Sequence, residues 1–531
     1  MNSSLPLSKK RREEGYATVF TIAFFAAIAL AVFSLYDVGW VASERIRLQN
    51  TADNTVYSTV NVQTRDLNMI AITNRAMIAN QVVIGQYIGL VSWSNEVNEF
   101  AQNLETLGQF AQVIPYVGPF IKKATDILAK ATDAMVDFFE AGDFIIDTVQ
   151  ENIIYALSEF QRVNHALTLA ANYSVYQDVL ARNDPDVTSS MAGSAVNIKE
   201  VLESWGGDIQ RFERNNVAAN SKGGDNRTTQ RFNEFSNLVN DSRDKFSANR
   251  SYRFFKKVDV GFYEFWGEKN GGSDFIPVEV NNKGKSVVRW NWTAADTLSF
   301  YQKFDLGFGI SWTSETPLGW GAAHSLNKDR IGDRFKYEGY KNNSRRNYDE
   351  DDWEALDYAG GNEKRWWGGA WINGDAARNL KYPSVIGSGK VYEYNNIKKT
   401  KGLRDFYDFK DDAKTDEMPE FSIFLSKGEG DIRTQKTVDN SMESYSRIDR
   451  LTIESDGGMA GNRLYASGSA QSFFARPDES HYGSREFSWN VEWGRSDGLH
   501  EYGNLYNPFW QTRLVEDSRP LLSMLISFGA L

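Results

Sequence analysis

A run of uncharged residues near the N-terminus constrains this chain more than any other feature of its sequence. From Tyr16 to Tyr36, 21 consecutive residues carry no charge, and most of them are apolar or small. A helix rises about 1.5 Å per residue, so a helix of this length spans about 30 Å, the thickness of the hydrocarbon core of a bilayer. The run therefore predicts one transmembrane helix.

The residues that flank this run predict its orientation. Lys9, Lys10, Arg11 and Arg12 precede it within a few residues, whereas acidic Asp37 directly follows it. Basic residues beside a membrane segment stay on the cytoplasmic side, so we interpret the four as a topology signal. Everything after about residue 37 is then expected to lie outside the cytoplasm.

A cleaved signal peptide is the alternative interpretation of the same run. Signal peptides have an apolar region of roughly 7 to 15 residues followed by a cleavage site of small residues. Here the run is longer and ends in "SLYDVGW", with aromatic residues at the expected interface. We therefore expect an uncleaved signal anchor over residues 16–36, a cytoplasmic basic tail over residues 1–15, and a bitopic protein.

Composition excludes several classes of function. The 531 residues include no cysteine, which excludes disulfides, thiolate zinc sites and cysteine nucleophiles. The net charge of -11 opposes nucleic-acid binding, because phosphates repel an acidic surface. The length predicts more than one domain.

Residues 37–249 carry mostly helical patterns and are expected to form an extracytoplasmic helical bundle or stalk. Apolar residues keep helical spacing beyond the anchor, as at Val41, Leu48 and Ala52, which predicts that the anchor continues as a stalk helix. Prolines near residue 115 break this pattern. Further helices are predicted over about residues 121–180, 196–214 and 229–246.

Four amide side chains stand among aliphatic residues of the predicted stalk: Asn68, Asn74, Asn80 and Gln81. Buried amides need hydrogen-bond partners. One interpretation is a satisfied polar network inside a helix bundle. The other is a row of partner-contact amides that fixes the register against another subunit. The sequence leaves both open.

Residues 250–531 are predicted to be a mainly β, Trp- and Gly-rich region. They hold twelve of the fifteen tryptophans and alternating runs such as "KSVVRWNW". Together with the helical region this predicts an α+β fold class. Trp366, Trp367 and Trp371 in "RWWGGAW" are interpreted either as core or as a stacking platform for sugars.

Motifs for catalysis or metal binding are incomplete. "GRSDG" places Ser496 in a nucleophile-elbow pattern, but a hydrolase needs a helix and then an acid and a histidine after it, whereas "LHEYGNLYNPFW" follows and His500 is the only histidine left downstream. "HEYGN" from His500 has Asn504 where a second zinc ligand belongs. The acidic residues 349–352 lack the ligand order of an EF-hand. We expect no catalytic, cofactor-binding or metal-binding residues, and no cofactor.

The N-terminal segment "KKRREEGYATVFTIAFFAAIALAVFSLYDVGWVASERIRLQNTADNTV" resembles the anchor module of the TadE/TadG-like proteins of Flp (Tad, tight adherence) pilus assembly. "RDLNMIAITNRAMIANQVVIGQ" is similar to the extension of the longer TadG-like members, and "FFARP" and "LYNPFWQTRL" are similar to their closing segment. The resemblance covers about residues 9–95 and, more weakly, 473–516. It implies a single-pass inner-membrane protein with a periplasmic body that builds or holds an adhesive pilus.

One residue departs from the pilin-like members of this family. Those subunits carry glutamate five residues after a processing glycine, and counting from Gly15 that position is Phe20. A phenylalanine cannot pair with the freed amino terminus of a neighbouring subunit, as the glutamate can. We therefore expect Gly15 to stay uncut and the chain to remain a membrane anchor of the TadG kind.

These features lead to one functional hypothesis with three alternatives. We expect a non-enzymatic membrane component of Flp pilus assembly, with pilus-assembly proteins or pilin subunits as partners, a bilayer around residues 16–36, and no nucleic acid. A homo-oligomer is left open. The alternatives are a membrane-anchored adhesin or glycan-binding protein, a minor pseudopilin within the filament, and a tethered hydrolase that uses Ser496.

Overall fold

The structure is a computed structural model that describes most of the helical region and parts of the C-terminal region. The described residues are 10–111, 118–140, 148–189, 208–218, 223–282, 285–325, 365–367, 370–372, 391–393, 402–410, 416–428, 463–476 and 499–516. They form an α+β fold with a long N-terminal apolar helix and a β-rich C-terminal region. This confirms the predicted α+β class.

Five α-helices lie within the described ranges. They are α1 (Lys10–Ala111), α2 (Gly118–Glu140), α3 (Tyr155–Asn183), α4 (Asn226–Asp241) and α5 (Lys245–Ala248). A π-helical turn, Thr148–Ile154, leads into α3. At its N-terminus α4 is capped by the Asp225 carboxylate, which accepts hydrogen bonds from two backbone N–H groups.

The described strands, in chain order, are β1 (Thr188–Ser189), β2 (Ile209–Phe212), β3 (Tyr252–Asp259), β4 (Tyr263–Asn282), β5 (Lys285–Asp305), β6 (Ser311–His324), β7 (Arg365–Trp367), β8 (Ala370–Ile372), β9 (Val391–Glu393), β10 (Phe406–Phe409), β11 (Phe421–Gly428), β12 (Arg463–Phe474) and β13 (Trp510–Val515). They make a four-stranded sheet in the order β1-β11-β12-β13 and a five-stranded sheet in the order β3-β4-β5-β6-β9. Two further pairs are β2-β10 and β7-β8.

The chain divides into two compact units, each built from separate stretches of sequence. Unit 1 comprises Met1–Met69, Asn164–Gln210 and Phe409–Leu531, and unit 2 comprises Ile70–Val163 and Arg211–Asp408. Each unit therefore combines part of α1 with strands from the C-terminal region.

In unit 1, helix α1 lies on the four-stranded sheet. Burial alternates along the first half of β11, as the period of a strand predicts, and Leu425, Ser426 and Lys427 further along are all buried. The core contains residues from α1, α3 and two strands: Leu48, Ala52, Val56, Val60, Tyr176, Phe421, Ile423, Leu425, Leu464, Ala466 and Ala470. A Cβ on Gly468 would lie 2.9 Å from the carbonyl carbon of Ala52, so the glycine allows the helix to approach β12 closely.

In unit 2, α1 lies against the five-stranded sheet. The same unit also contains a cluster of aromatic rings. The ring of Phe406 contacts Phe212, Phe232 and Phe235, with ring centroids between 4.6 and 5.9 Å apart. Trp290 packs against Phe232 with tilted rings whose centroids lie 5.1 Å apart, and it is buried. The structure therefore places this tryptophan in the core.

The structure contains helices in two of the regions where the sequence predicts them. Helix α1 continues without interruption from the apolar run through the predicted stalk, and α4 confirms the predicted helix near residues 229–246. In each unit a β-sheet covers part of α1. The described residues therefore form a mixed body of helices and sheets, and not a bundle of helices alone.

The prediction of a helix over residues 196–214 is wrong at its C-terminal end. Residues 209–212 form β2, which pairs with β10, while residues 196–207 lie outside the described ranges. Phe212 is buried against Phe406. Contacts with residues far along the chain override the local helical pattern here.

Substitution of Gly85 tests the close packing of α1 in unit 2. A Cβ at Gly85 would lie 2.7 Å from ring atoms of the buried Trp292, and a rigid ring has little room to move. We expect Gly85→Ala to lower the melting temperature, because overpacking costs about 1–3 kcal/mol and alanine recovers only about 1 kcal/mol of helix propensity.

Gly39 offers a matched control on the same helix. A Cβ there meets no atom within 4 Å. Gly39→Ala is expected to keep or raise the melting temperature, measured by tryptophan fluorescence of the detergent-solubilised chain. Equal effects of the two alanines would contradict the packing assigned to Gly85.

Candidate functional site: the membrane segment and the polar face of helix α1

The first part of α1 is an exposed apolar helix. Between Tyr16 and Tyr36 its large side chains are exposed, with Phe20 at 74% and Phe24 and Phe25 at 65%. A helix satisfies its own backbone hydrogen bonds, which is what a bilayer core demands of a spanning segment. Among the described residues, one helix is long and apolar enough to cross a membrane, and it contains this segment.

Polar and aromatic residues at the ends of the segment fit the same interpretation. The hydroxyl of Thr21 donates to the carbonyl of Ala17 at 2.8 Å, so it needs no outside partner. Tyr36 and Trp40 meet edge to face at 6.1 Å, where aromatic rings of membrane interfaces are expected. Helix α1 begins at Lys10, so three of the four basic residues that precede the apolar run lie in its first turn, and Lys9 lies outside the described ranges.

A buried ionic cluster joins α1 to the sheet of unit 1. The Lys427 ammonium on β11 donates to Glu44 Oε2 at 3.0 Å and to Asp184 Oδ2 at 2.9 Å. Arg47 Nε lies 3.5 Å from the same Asp184 oxygen. Burial lowers the pKa of Lys427, but the two hydrogen-bonded carboxylates outweigh it and the pKa lies above its ordinary value.

Sequence reasoning missed this cluster, although one signal was present. Glu44 precedes Leu48 and Ala52 at intervals of four residues and so shares the buried face of α1. A carboxylate on an apolar face calls for a buried cation. The partner could not be named from the sequence, because Lys427 lies 383 residues away.

Asn68 is the first of the four predicted amides along α1. Its side chain donates to the backbone carbonyl of Trp510 at 2.9 Å and accepts from the backbone N–H of the same residue at 3.0 Å. One turn earlier, the Thr64 hydroxyl lies 2.7 Å from the hydroxyls of Ser472 and Thr512. These hydrogen bonds connect α1 to the sheet of unit 1 in a fixed register.

Asn74 belongs to a buried amide network of unit 2. Its side-chain nitrogen donates to the carbonyl of Tyr407 at 3.0 Å, and its side-chain oxygen accepts from Gln161 at 2.8 Å. Gln161 in turn accepts from the backbone N–H of Tyr407 at 3.0 Å. Gln81 extends the polar row by donating to the carbonyl of Gly402 at 3.2 Å.

Asn80 differs from the other three amides. It is half-buried, and its side chain donates to the carbonyl of Ala76 on its own helix. Of the two sequence interpretations, a polar network within the chain is observed for Asn68, Asn74 and Gln81. A contact with a partner subunit stays a prediction.

A second ionic cluster is buried in unit 2. The Lys269 ammonium lies 2.6 Å from Asp296 Oδ1 and 3.2 Å from Glu96 Oε2, and Arg250 binds Asp296 through two nitrogens at 2.8 Å each. The Ser92 hydroxyl donates to Asp296 Oδ2 at 2.6 Å. All of these side chains are buried.

The two carboxylates of this second cluster respond differently to burial. Burial raises the pKa of Glu96 to about 7, because Asp296 adds repulsion and the attraction of Lys269 compensates only in part. Burial also raises the pKa of Asp296, but Arg250 and Lys269 lower it more, so that it lies below its ordinary value. Glu96 is therefore the group of this cluster that titrates near neutral pH.

The remaining motifs named from the sequence carry less information. Ser496 and the acidic residues 349–352 lie outside the described ranges. His500 Nε2 lies 2.7 Å from Asp416 Oδ2, at an exposed position. Trp366 and Trp371 are register partners in the pair β7-β8.

These observations define the class of protein. It is an α+β protein whose N-terminal helix is exposed and apolar over a membrane-spanning length and then enters a mixed helix and sheet body.

Comparison with known proteins adds a family match over part of the chain. The Tad family model, described as Flp pilus-assembly TadE/G-like, matches residues 15–61. No curated protein matches the chain, and no solved structure matches it. The match confirms the resemblance to the TadE/TadG-like family, supports involvement in Flp pilus assembly, and suggests a structural role without catalysis.

The buried cluster of unit 1 yields a stability prediction. Lys427→Met keeps the apolar stem but removes the ammonium that donates to both buried carboxylates, Glu44 and Asp184. We expect a loss of roughly 3–5 kcal/mol in the free energy of unfolding, as when one partner of a buried ion pair is removed. Chemical denaturation followed by circular dichroism measures it.

Arg182→Met provides the control for this change. Arg182 pairs with Asp178 on α3, and both side chains are mostly exposed. Exposed pairs contribute about 0–1 kcal/mol, so little change is expected. A Lys427→Met chain as stable as the Arg182→Met chain would show that the unit 1 cluster does not hold the fold.

The raised pKa of Glu96 predicts a dependence of stability on pH. Between the ordinary value of 4.5 and about 7, the folded state binds more protons at Glu96 than the unfolded state does. The stability contributed by this group is therefore full below about pH 4.5 and is lost as the pH rises to about 7.

Glu96→Gln isolates this contribution, because glutamine resembles the protonated acid at every pH. We expect the melting temperature of the variant minus that of the wild type to increase from about pH 4.5 to about pH 7 and then to level off. A difference that stays constant over this range would rule out titration of Glu96.

Proposed function

We propose that this protein is a non-enzymatic, single-pass membrane component of Flp/Tad-type pilus assembly that anchors or positions pilus components through its body. The observation that carries the proposal is the coincidence of two features. The family match over residues 15–61 covers the whole exposed apolar segment and continues into the part of α1 buried on the sheet of unit 1.

In this proposal the helix crosses the bacterial inner membrane once. Lys9, Lys10, Arg11 and Arg12 hold the N-terminus in the cytoplasm, because basic flanks resist translocation. Residues 16–36 lie in the bilayer, and the regions 37–249 and 250–531 lie in the periplasm. Asp37 at the exit of the segment fits this orientation.

The anchor is retained rather than processed. Phe20 is 74% exposed on the helix and offers no carboxylate to a neighbouring subunit. A filament subunit of the pilin kind needs such an acid in its apolar helix to select and align its neighbours. The chain therefore stays in the membrane, and Gly15 stays uncut.

Contacts with pilus proteins use the exposed side of α1. Most residues of α1 between Leu48 and Ala101 are buried or half-buried, but a narrow row that includes Arg65, Ile72 and Val83 faces outward. Half-buried Asn80 lies between the last two along the helix. Pilin subunits, assembly proteins or a second copy of this chain are the partners in this proposal.

A glycan-binding adhesin on the same anchor is the second candidate function. It is favoured by the register of β7-β8, which sets Trp366 opposite Trp371 within a tryptophan-rich segment. Cross-strand aromatic pairs are a common way to build a stacking surface.

One experiment tests orientation and partner together. Because the chain contains no cysteine, Ile72→Cys gives a single reactive site at an exposed position of α1. A membrane-impermeant maleimide with a photocrosslinking group is added to cells with a permeabilised outer membrane. We expect labelling of Ile72→Cys and, after illumination, capture of an Flp pilus-assembly protein or pilin.

Two controls accompany this experiment. Ser8→Cys, beside the basic residues, is expected to stay unlabelled until the inner membrane is broken. Capture is expected to disappear when the pilus genes are repressed. Labelling of Ser8→Cys in intact inner membranes would refute the orientation, and labelling of Ile72→Cys without capture of any pilus protein would refute the role in assembly and favour the adhesin.

A further inference from the structure

Two turns at one end of the five-stranded sheet share a sequence pattern. The β3-β4 turn reads Asp-Val-Gly-Phe over residues 259–262, and the β5-β6 turn reads Asp-Leu-Gly-Phe over residues 305–308. In each turn the aspartate accepts a hydrogen bond from the N–H of the glycine two residues later, at 2.8 and 2.9 Å. The N–H of Asp305 donates to the carbonyl of Phe262 at 2.8 Å, so the turns lie side by side.

Large apolar side chains project from both turns. Their exposed fractions lie between 59% and 104%, and we call this set the twin-turn tip: Val260, Phe262, Leu306, Phe308 and Ile310. Phe308 has φ of 56°, in the left-handed region that glycine usually occupies, and it is the most exposed member. A strained backbone that displays an apolar ring to solvent indicates a functional site.

The backbone of the twin-turn tip is largely satisfied from within. N–H groups of residues 260, 261 and 262 donate to acceptors in the same turn. In the second turn the N–H groups of residues 306, 307 and 310 do the same. Hydrocarbon offers no hydrogen bonds, so a segment that enters a bilayer must pair its polar groups internally.

Amphipathic and basic side chains follow behind the tip. Tyr263 is the first residue of β4. Trp266 stacks on Tyr301, with ring centroids 5.3 Å apart, three register pairs further along the sheet. Such rings are typical of the membrane interface. On edge strand β3, Arg253 and Lys256 are exposed, and Lys256 lies three residues, or about 10 Å, before the turn. That distance places its ammonium at the depth of lipid head groups.

We propose that the twin-turn tip inserts into the surface of a phospholipid bilayer that contains anionic lipid. The apolar side chains enter the acyl region, the aromatic rings lie at the interface, and the basic residues of β3 contact the head-group phosphates. This contact is additional to the transmembrane helix. The tip is a pair of convex turns rather than a groove, and most N–H groups of the two turns are paired close to the turns, which favours lipid as its occupant.

A single fluorescent probe tests this insertion. Leu306→Cys is labelled with an environment-sensitive NBD maleimide, and the absence of other cysteines makes the label specific. The full chain is held in amphipol, without a bilayer, and vesicles of phosphatidylethanolamine with phosphatidylglycerol are added. We expect a blue shift and an increase of emission as the probe leaves water, with a weaker response to vesicles of phosphatidylcholine alone.

Two further chains make the result decisive. In the background Phe262→Ser, Phe308→Ser, the probe at residue 306 is expected to need roughly tenfold more lipid per lost ring for the same response. A probe at Leu499→Cys, an exposed position of unit 1, is expected to show no shift. Unchanged circular dichroism of the serine background confirms that it is folded.

Three outcomes overturn the proposal. The first is an emission of the Leu306 probe that vesicles leave unchanged. The second is a shift that occurs without lipid and grows with protein concentration, which would assign the tip to contact between copies of this chain. A shift that survives both serine substitutions also refutes insertion by the twin-turn tip.

Discussion

The close approach of α1 to the β-strands that cover it is the constraint on which the body of this protein depends. In unit 1 the approach occurs where Gly468 meets the backbone of Ala52. In unit 2 it occurs where Gly85 receives the ring of Trp292, and where Gly321 of β6 meets the backbone of Ser92. A side chain at any of these positions would hold the strand away from the helix and open the core.

The same helix changes its surroundings along its length, and its side chains change accordingly. Between residues 16 and 36 it presents uncharged side chains outward, as a lipid-facing helix must. Further along, its buried face carries Glu44, Asn68 and Asn74, each of which has polar partners in its own unit. These groups tolerate burial only because strands and loops from the C-terminal region pair with them. These hydrogen bonds also fix the position of the helix along the strands, because each of the three side chains pairs with particular residues of the C-terminal region.

Much of the coarse architecture could be predicted from the sequence. The apolar run, the helical spacing beyond it and the alternating tryptophan-rich strands predicted the α+β class. The N-terminal pattern predicted a resemblance to TadE/TadG-like proteins, which the family match over residues 15–61 confirms. The prediction failed at residues 209–212, where a short segment forms a strand. Its local pattern is helical, but burial of Phe212 among distant aromatic rings decides its conformation.

By itself the sequence determined the apolar segment of membrane-spanning length, because length and lack of charge are local properties of the chain. It also determined the absence of disulfides and the absence of an acid at position 20. The tertiary structure alone decided which polar residues become buried and with whom, as for Glu44 and Lys427 or Ser92 and Asp296, which are 383 and 204 residues apart. It also decided that two separate Asp-X-Gly-Phe turns lie at the same end of one sheet. Such pairings depend on how distant segments meet, and no local pattern encodes that.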